Sequence, residues 1–416
     1  MIKRSAKLGA AAALAAGLAA ASAAAAPVTI QFAILDDIAA GATFQQLIDE
    51  FQKTHPDIKV QLLQQYADHF DKLAVQAAGG TVPDLFAGYG PTPPQALNQG
   101  LLLDLSPFIK RDNLQSLVAD FVPSTLAMMT KAGHIYAFPK YSATGAMYYN
   151  TEMFADAGLE KPATDWNWSD FAAYAKKLTL TDGAAVKQYG YNLNNDWIWV
   201  YPWFVSGGTD FSNPNVVPLD TPAAINTGTY LQDLYKQDAL EWRFGRFPER
   251  EAAMASSGSW ELKAWIQKKL PVDVAPMPTG PAGKAAQTNN DIIGISATTK
   301  HPEQAWTFLS WFYSKPVQQE YMKLFALQPA RMSLQRSWLD AIATQLRGQG
   351  LTVPSGLYTF ADATVYAAQE PQFADPAVIS KYVMMALNKV IRAHQPVAAT
   401  FKSEAAAANA YLNPSK

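Results

Sequence analysis

Polar and aromatic side chains follow three short apolar runs of the sequence, at residues 28–35, 58–63 and 84–87. They are Asp36 and Asp37 after the first run, Gln65 and Tyr66 after the second, and Tyr89 after the third. In an open parallel sheet, ligands bind beyond the carboxyl ends of the strands. Carboxylates and amides bond to hydroxyl groups, and aromatic rings pack against apolar C–H faces. These residues therefore suit a hydroxyl-rich ligand such as a sugar, although Asp36 and Asp37 equally suit a solvated turn.

The sequence gives little support to an enzyme. It has no Gly-x-Ser-x-Gly elbow, no His-Glu-x-x-His motif, no phosphate-binding loop and no cysteine nucleophile. A glycosidase needs only two carboxylates about 5–10 Å apart, so that class stays open as an alternative. We predict no catalytic residue, no cofactor and no metal site.

A ferric-ion-binding protein is a second alternative, because Tyr148 and Tyr149 resemble the paired tyrosines of that class. The two residues lie in a strand-like pattern that continues into Asn150. Neighbouring residues of a strand point to opposite faces, so at least one of the tyrosines is expected in the core.

The elements that must position these residues alternate along the chain. Apolar residues recur at the i, i+3, i+4, i+7 spacing of an amphipathic helix in segments that start at Phe44, Phe70, Phe171 and Ala305. Short apolar runs, including 292–297, lie between them and predict buried strands. This alternation predicts an α/β fold with largely parallel sheets.

The first residues predict a signal peptide over 1–26. Lys3, Arg4 and Lys7 precede an uncharged, alanine-rich run, and Ala21, Ser22 and Ala23 fit the small-residue rule for cleavage. The chain has no cysteine to carry a lipid. We therefore expect a periplasmic protein without a lipid anchor.

Size and charge narrow the class further. Removing the signal peptide moves the formal net charge from -2 to about -5, which disfavours nucleic acid as a partner. The remaining chain of about 390 residues exceeds what one hydrophobic core usually supports. Two domains are therefore expected.

Several longer segments occur in an order that resembles one known family. They include "VTIQFAIL", "LIDEFQKTHPDIKVQLL", "DHFDKLAVQAAGGTVPDLF", "NQGLLLDLSPFI", "GHIYAFPKYSATGAMYYNTEMFADAGL", "AMASSGSWEL" and "IIGISATTKHPEQAWTFLSWF". The order and spacing resemble the family 1 extracellular solute-binding proteins of ABC importers, of the maltose-binding-protein-like sugar-binding kind. The resemblance covers nearly the whole chain after the signal peptide.

The resemblance implies a type II periplasmic-binding-protein fold, with two hinge-linked α/β lobes and a ligand cleft between them. The implied N-terminal lobe is 27–140 plus 275–328, and the implied C-terminal lobe is 141–274 plus 329–416. Hinge closure would bury the ligand. Pro139 is expected to end a strand where the chain first crosses between the lobes.

The resemblance also implies ligand contacts from tryptophans of the C-terminal lobe. Trp260 matches the tryptophan that stacks on sugar in the family, and Gly258 and Ser259 before it leave room beside the ring. Asp196 with Trp197 or Trp199 matches a family segment that contributes a polar group and an aromatic ring. For each tryptophan, the alternative is an ordinary core position.

The three implied crossings between the lobes supply the remaining candidates. These are Tyr141, Ser142 and Thr144 at the first crossing, Asn289, Asn290 and Asp291 at the second, and Arg331 at the third. No carboxylate stands at the first crossing, where maltodextrin-binding members have one, so maltodextrin specificity is not implied. For Arg331 we favour a role in tying backbone segments together.

We therefore expect a protein that captures a neutral mono- or oligosaccharide. Its expected partners are that sugar and the permease subunits of an ABC transporter, and it is expected to be a monomer. Glycerol phosphate or another polyol is the alternative ligand. A phosphate-binding site usually contains several Arg or Lys residues. Among the candidate residues, only Arg331 is of this type.

Overall fold

The computed structural model describes residues 26–34, 38–64, 69–88, 92–288, 291–325 and 327–414. The predicted signal peptide lies outside the described residues, apart from Ala26. Within these ranges no helix combines the length and the apolar character that a membrane span requires.

The strands fall into two main sheets and one short hairpin. They are β1 Val28–Ile34, β2 Ile58–Gln64, β3 Leu85–Gly88, β4 Thr130–Lys131, β5 His134–Ile135, β6 Ala137–Pro139, β7 Gly145–Asn150, β8 Leu180–Asp182, β9 Ala185–Asn192, β10 Leu240–Glu241, β11 Ala252–Gly258, β12 Val272–Ala275 and β13 Ile292–Ile295. The first sheet has the order β2-β1-β3-β13-β6, and the second has the order β10-β9-β11-β7-β12, with β8 beside β9.

Helices follow or separate most of the strands. They are α1 Ile38–Thr54, α2 His69–Ala78, α3 Thr92–Asn98, α4 Ser106–Arg111, α5 Gln115–Val118, α6 Pro123–Ala127, α7 Thr151–Asp156, α8 Trp168–Leu178, α9 Trp197–Ser206, α10 Pro222–Lys236, α11 Glu261–Gln267, α12 Pro302–Phe312, α13 Lys315–Phe325, α14 Gln335–Gly348, α15 Thr359–Asp362, α16 Met384–Ile391 and α17 Val397–Leu412. The predicted helical segments are α1, α2, α8 and α12, and the predicted strands are β1, β2, β3 and β13. The predicted α/β class is confirmed.

Each sheet packs against helices that bury its apolar side chains. In the first sheet, the Phe32 ring of β1 lies 5.6 Å from both Phe44 of α1 and Phe308 of α12. In the second sheet, Tyr191 of β9 packs edge-on against Phe171 of α8 at 4.9 Å. Buried side chains therefore form separate clusters for the two sheets, with one cluster on each face of each sheet.

Both sheets are less parallel than the sequence suggested. β1, β2 and β3 are parallel, but β13 runs antiparallel to β3 and β6. Likewise β9, β10 and β11 are parallel, but β7 runs antiparallel to β11 and β12. The reason is the chain path: β7 and β13 are each the first strand after the chain crosses from the other sheet. They enter at the edge where the parallel strands end, so they run back against them.

The chain passes between the sheets three times. The first passage runs from Pro139 to Gly145, the second from Ala275 to Ile292, and the third lies between α13 and α14. β6 is the edge strand of the first sheet and ends at Pro139, as the sequence predicted. The carboxyl ends of the parallel strands in both sheets therefore lie beside these passages.

Candidate functional site

Several candidate residues lie outside the described residues. They are Asp36, Asp37, Gln65, Tyr66, Tyr89, Asn289 and Asn290. Their contribution to a site stays a prediction. The described candidates lie beside the second sheet and on the passages.

An aromatic pair lies at the edge of the second sheet from which the passages leave. Trp260 lies two residues after Gly258, the last residue of β11, and its ring centroid is 5.8 Å from that of Trp199 on α9, at an angle of 50°. Trp260 is half-buried, and 7% of Trp199 is exposed. Part of Trp260 therefore remains accessible beside a buried partner.

Gly258 makes room for this ring. A Cβ atom built on Gly258 would lie 2.0 to 2.3 Å from three ring carbons of Trp260. Real Cβ atoms do not approach other atoms so closely, so any side chain at this position would displace the indole. The indole of Trp260 thus occupies the space that the missing side chain of Gly258 leaves.

The other two members of the family-like segment point in different directions. Trp197 is buried and packs against Phe211, with centroids 5.6 Å apart, and against Tyr201. Asp196 is exposed and stands at the N-cap position of α9, but its side chain makes no capping hydrogen bond. Both tryptophans that the sequence left open are buried in the same core, and Trp199 is the one that packs against Trp260.

Two hydroxyl residues of the first passage are occupied by protein contacts. Ser142 is fully buried, and its Oγ lies 3.1 Å from Thr125 Oγ1. Thr144 is fully buried as well, and its Oγ1 donates to the Phe360 carbonyl at 2.7 Å. In this conformation neither hydroxyl is exposed to a ligand. Tyr141 is half-buried and lies under the Lys140 ammonium, 5.5 Å from the ring centroid.

The charged candidates of the other passages are engaged in ion pairs. Asp291 lies 3.6 Å from the Lys140 ammonium, and both side chains are largely buried. Arg331 Nε donates to Asp120 at 2.7 Å, and its Nη1 donates to the Tyr313 carbonyl at 3.3 Å. Arg331 thus ties the third passage to the layer around the first sheet, which is the role that the sequence favoured.

Sequence reasoning missed Glu370, which lies at the same edge. The neighbouring Ala368 carbonyl accepts a bond from the Tyr201 hydroxyl, and that hydroxyl accepts one from the Thr288 backbone amide. Burial, followed by the nearby charge of Asp196, raises the pKa of Glu370 to about 7. The residue lies in a stretch with no strand or helix period, so no local pattern could have placed it.

Three buried polar atoms near the passages lack a hydrogen-bond partner within the described part of the chain. They are Ser259 Oγ beside Trp260, and Gln287 Nε2 and Thr288 Oγ1 on the second passage. Thr288 on the second passage forms a β-bridge with Thr144 on the first passage, so these atoms lie close to the place where the two passages meet. Buried polar groups normally find a partner, so a polar ligand would suit this edge.

The tyrosine pair does not form a metal site. The Tyr148 hydroxyl donates to the Gly258 carbonyl at 2.9 Å, and the Tyr149 hydroxyl donates to Asp273 at 3.2 Å. The two rings lie in different cores on opposite faces of β7. Among the described residues, no group of three His, Cys, Asp or Glu side chains is placed to hold a metal ion.

The two sheets, the three passages and the aromatic edge between them define a two-lobed binding protein of the type II periplasmic-binding-protein fold. Residues 36–319 match the family model described as bacterial extracellular solute-binding protein. The chain belongs to this family.

Two curated relatives and one solved structure illustrate the likeness. The chain is 23% identical to the galactooligosaccharide-binding protein of Bacillus subtilis, over 66% of either chain. It is 25% identical to the sn-glycerol-3-phosphate-binding periplasmic protein UgpB of Pectobacterium atrosepticum, over 64% of either chain. The cyclic alpha-maltosyl-1,6-maltose binding protein of Arthrobacter globiformis superposes with a TM-score of 0.80 and 19% identity, covering 94% of this chain and 100% of that one.

Proposed function

We propose that the protein captures a neutral sugar in the cleft between its lobes and delivers it to the permease of an ABC transporter. The observation that carries this proposal is the pair formed by Trp199 and Trp260 at the edge of the second sheet. A half-buried indole offers the flat apolar face that a sugar ring packs against. The carboxyl groups of Asp196 and Glu370 at the same edge offer acceptors for hydroxyls.

The charges at this edge favour a neutral ligand over a phosphate. Arg331 and Lys140 already pair with Asp120 and Asp291. Asp196 and the neighbouring Glu370 would repel an anion when ionised. One relative is named for binding sn-glycerol-3-phosphate, so this ligand stays the alternative. The charges at this edge disfavour it.

We propose that the protein binds its sugar without cleaving it. The family consists of binding proteins. If the protein were a glycosidase instead, Glu370 and Asp196 would be its candidate catalytic carboxylates. Incubation with nitrophenyl glycosides is expected to release no nitrophenol above the background. Release that disappears in Glu370→Gln would support the enzyme instead.

The proposed lobes are 27–140 with 275–328, and 141–274 with 329–416. The three passages between the sheets fall at or near these boundaries. Because each lobe has its own core, we propose that the protein acts as a monomer. We also propose that its signal peptide exports it to the periplasm and that it carries no lipid anchor. Membership of a family of extracellular solute-binding proteins supports delivery to the permease.

Closure on the ligand is testable by small-angle scattering. A thermal-shift screen over neutral mono- and oligosaccharides first identifies a bound sugar. Saturation with that sugar is expected to lower the radius of gyration of a monomeric particle, because the lobes rotate together about the passages. A sugar from the screen that does not bind serves as the control. An unchanged radius at saturation, or a particle of twice the monomer mass, would contradict this account.

A further inference from the structure

Residues 366–373 form an irregular segment, the strap, that is anchored on the second lobe. The strap pairs with Ala286 of the second passage through two backbone hydrogen bonds of 3.2 and 2.8 Å. The Ala368 carbonyl accepts the Tyr201 hydroxyl of α9 at 3.0 Å. Phe373, at the end of the strap, is buried in the core of the second lobe. The strap therefore moves together with the second lobe.

Gln372 of the strap reaches the first lobe. Its Nε2 atom donates to the Met128 sulfur at 3.9 Å, and a thioether sulfur is a weak hydrogen-bond acceptor. Met128 is buried and belongs to the same cluster as Ala33, Phe86 and Ile292 of the first sheet. The contact lies outside the three passages. It therefore joins the two lobes directly, across the cleft between them.

A proline links this contact stiffly to Glu370. Pro371 is buried, and its ring fixes the φ angle of the backbone between Glu370 and Gln372. The Gln372 Nε2 atom also donates to the Glu370 carbonyl at 2.9 Å, which closes this part of the strap into a compact turn. A shift of Glu370 is therefore passed on to Gln372 instead of being absorbed between them.

We infer that Gln372 is a positioning residue that couples sugar binding on the strap to the contact between the lobes. The inference rests on the proposed sugar-binding function and adds to it the contact that retains the sugar. A sugar hydroxyl bonded to the Glu370 carboxyl fixes the strap, and the strap then holds Gln372 on Met128. Sugar enters while the lobes are apart, so this contact slows release of the sugar and leaves its entry unchanged.

The test measures binding kinetics in the full mature protein and in three variants. Gln372→Ala removes the donor, Met128→Leu removes the sulfur acceptor but keeps most of the apolar volume, and the double variant removes both. The probe is the tightest binder in a thermal-shift screen of glucose, galactose, arabinose, mannose and their di- and trisaccharides. Each single variant is expected to release it roughly 2- to 10-fold faster, the range of one net hydrogen bond, at an unchanged association rate. Because both changes break the same contact, the double variant is expected to release the sugar no faster than Gln372→Ala.

Gln369→Ala is the matched control, because Gln369 is a glutamine of the same strap but is exposed. It is expected to change neither rate. An unchanged release rate in Gln372→Ala would overturn the inference, and so would effects of the two single variants that multiply in the double variant. A loss of affinity that arises from slower association would overturn it as well. In these cases sugar binding itself would stand. Binding of no sugar from the screen would instead overturn the proposed function and the coupling with it.

Discussion

Replacing Trp260 with alanine is expected to weaken sugar binding by about 1–3 kcal/mol, or roughly 5- to 150-fold. The ring lies at the edge of the second sheet with one side on Trp199 and with part of its surface accessible. Truncation removes the flat surface for the sugar, but it removes only part of a core contact. The melting temperature is therefore expected to change little. Calorimetry with the sugar found in the screen, together with thermal unfolding, measures both effects.

Trp311→Ala is the control for Trp260→Ala. Trp311 is also a half-buried tryptophan, but it packs against Phe51 at 5.2 Å on the first lobe. Its loss is expected to reduce stability and to leave sugar affinity unchanged. A Trp260→Ala variant that loses much of its stability while keeping its affinity would show that Trp260 belongs to the core.

Gln328→Ala is expected to lower the free energy of unfolding by about 2–4 kcal/mol, since buried groups lose their partners. The fully buried Gln328 amide joins two of the three passages. Its oxygen accepts the Thr144 backbone amide at 2.9 Å, and its nitrogen donates to Gln335 at 2.7 Å and to the Phe360 carbonyl at 3.1 Å. Chemical denaturation measures the loss of stability. The same variant is expected to bind sugar more weakly, because the passages position the lobes.

Gln232→Ala separates stability from hinge geometry. Gln232 is another buried amide, and its nitrogen donates to the Val390 and Gln395 carbonyls within the second lobe. Its loss is expected to cost a similar free energy of unfolding without a change in sugar affinity. If Gln328→Ala kept the full sugar affinity, the amide would be an ordinary core group with no role at the hinge.

The sequence predicted elements where the hydrophobic period is regular. The helices that contain Phe44, Phe171 and Ala305 and the strand that starts at Val28 form as expected. The direction of β7 and β13 was not predicted, because it depends on the edge at which the chain enters each sheet. That edge is set by the tertiary path and leaves no mark on the local pattern.

The candidate site could be predicted only in part. α9 is apolar on all sides, so its period does not distinguish the core residue Trp197 from Trp199 beside Trp260. Glu370 lies in a non-periodic segment whose neighbours are distant in sequence. Its position follows from the hydrogen bond that the Tyr201 hydroxyl donates to the nearby Ala368 carbonyl. The contribution of Asp36, Asp37, Gln65, Tyr66, Tyr89, Asn289 and Asn290 stays a prediction.

Calorimetric titration at low and high ionic strength tests the central claim, capture of a neutral sugar, most directly. The unmodified protein is titrated with the sugar from the screen and, separately, with glycerol 3-phosphate. Hydrogen bonds to hydroxyls displace no counterions, so the account predicts sugar binding whose affinity barely changes with salt. It also predicts no binding of the phosphate. Tight binding of glycerol 3-phosphate that weakens as salt screens its charge, with no neutral sugar bound, would contradict the account.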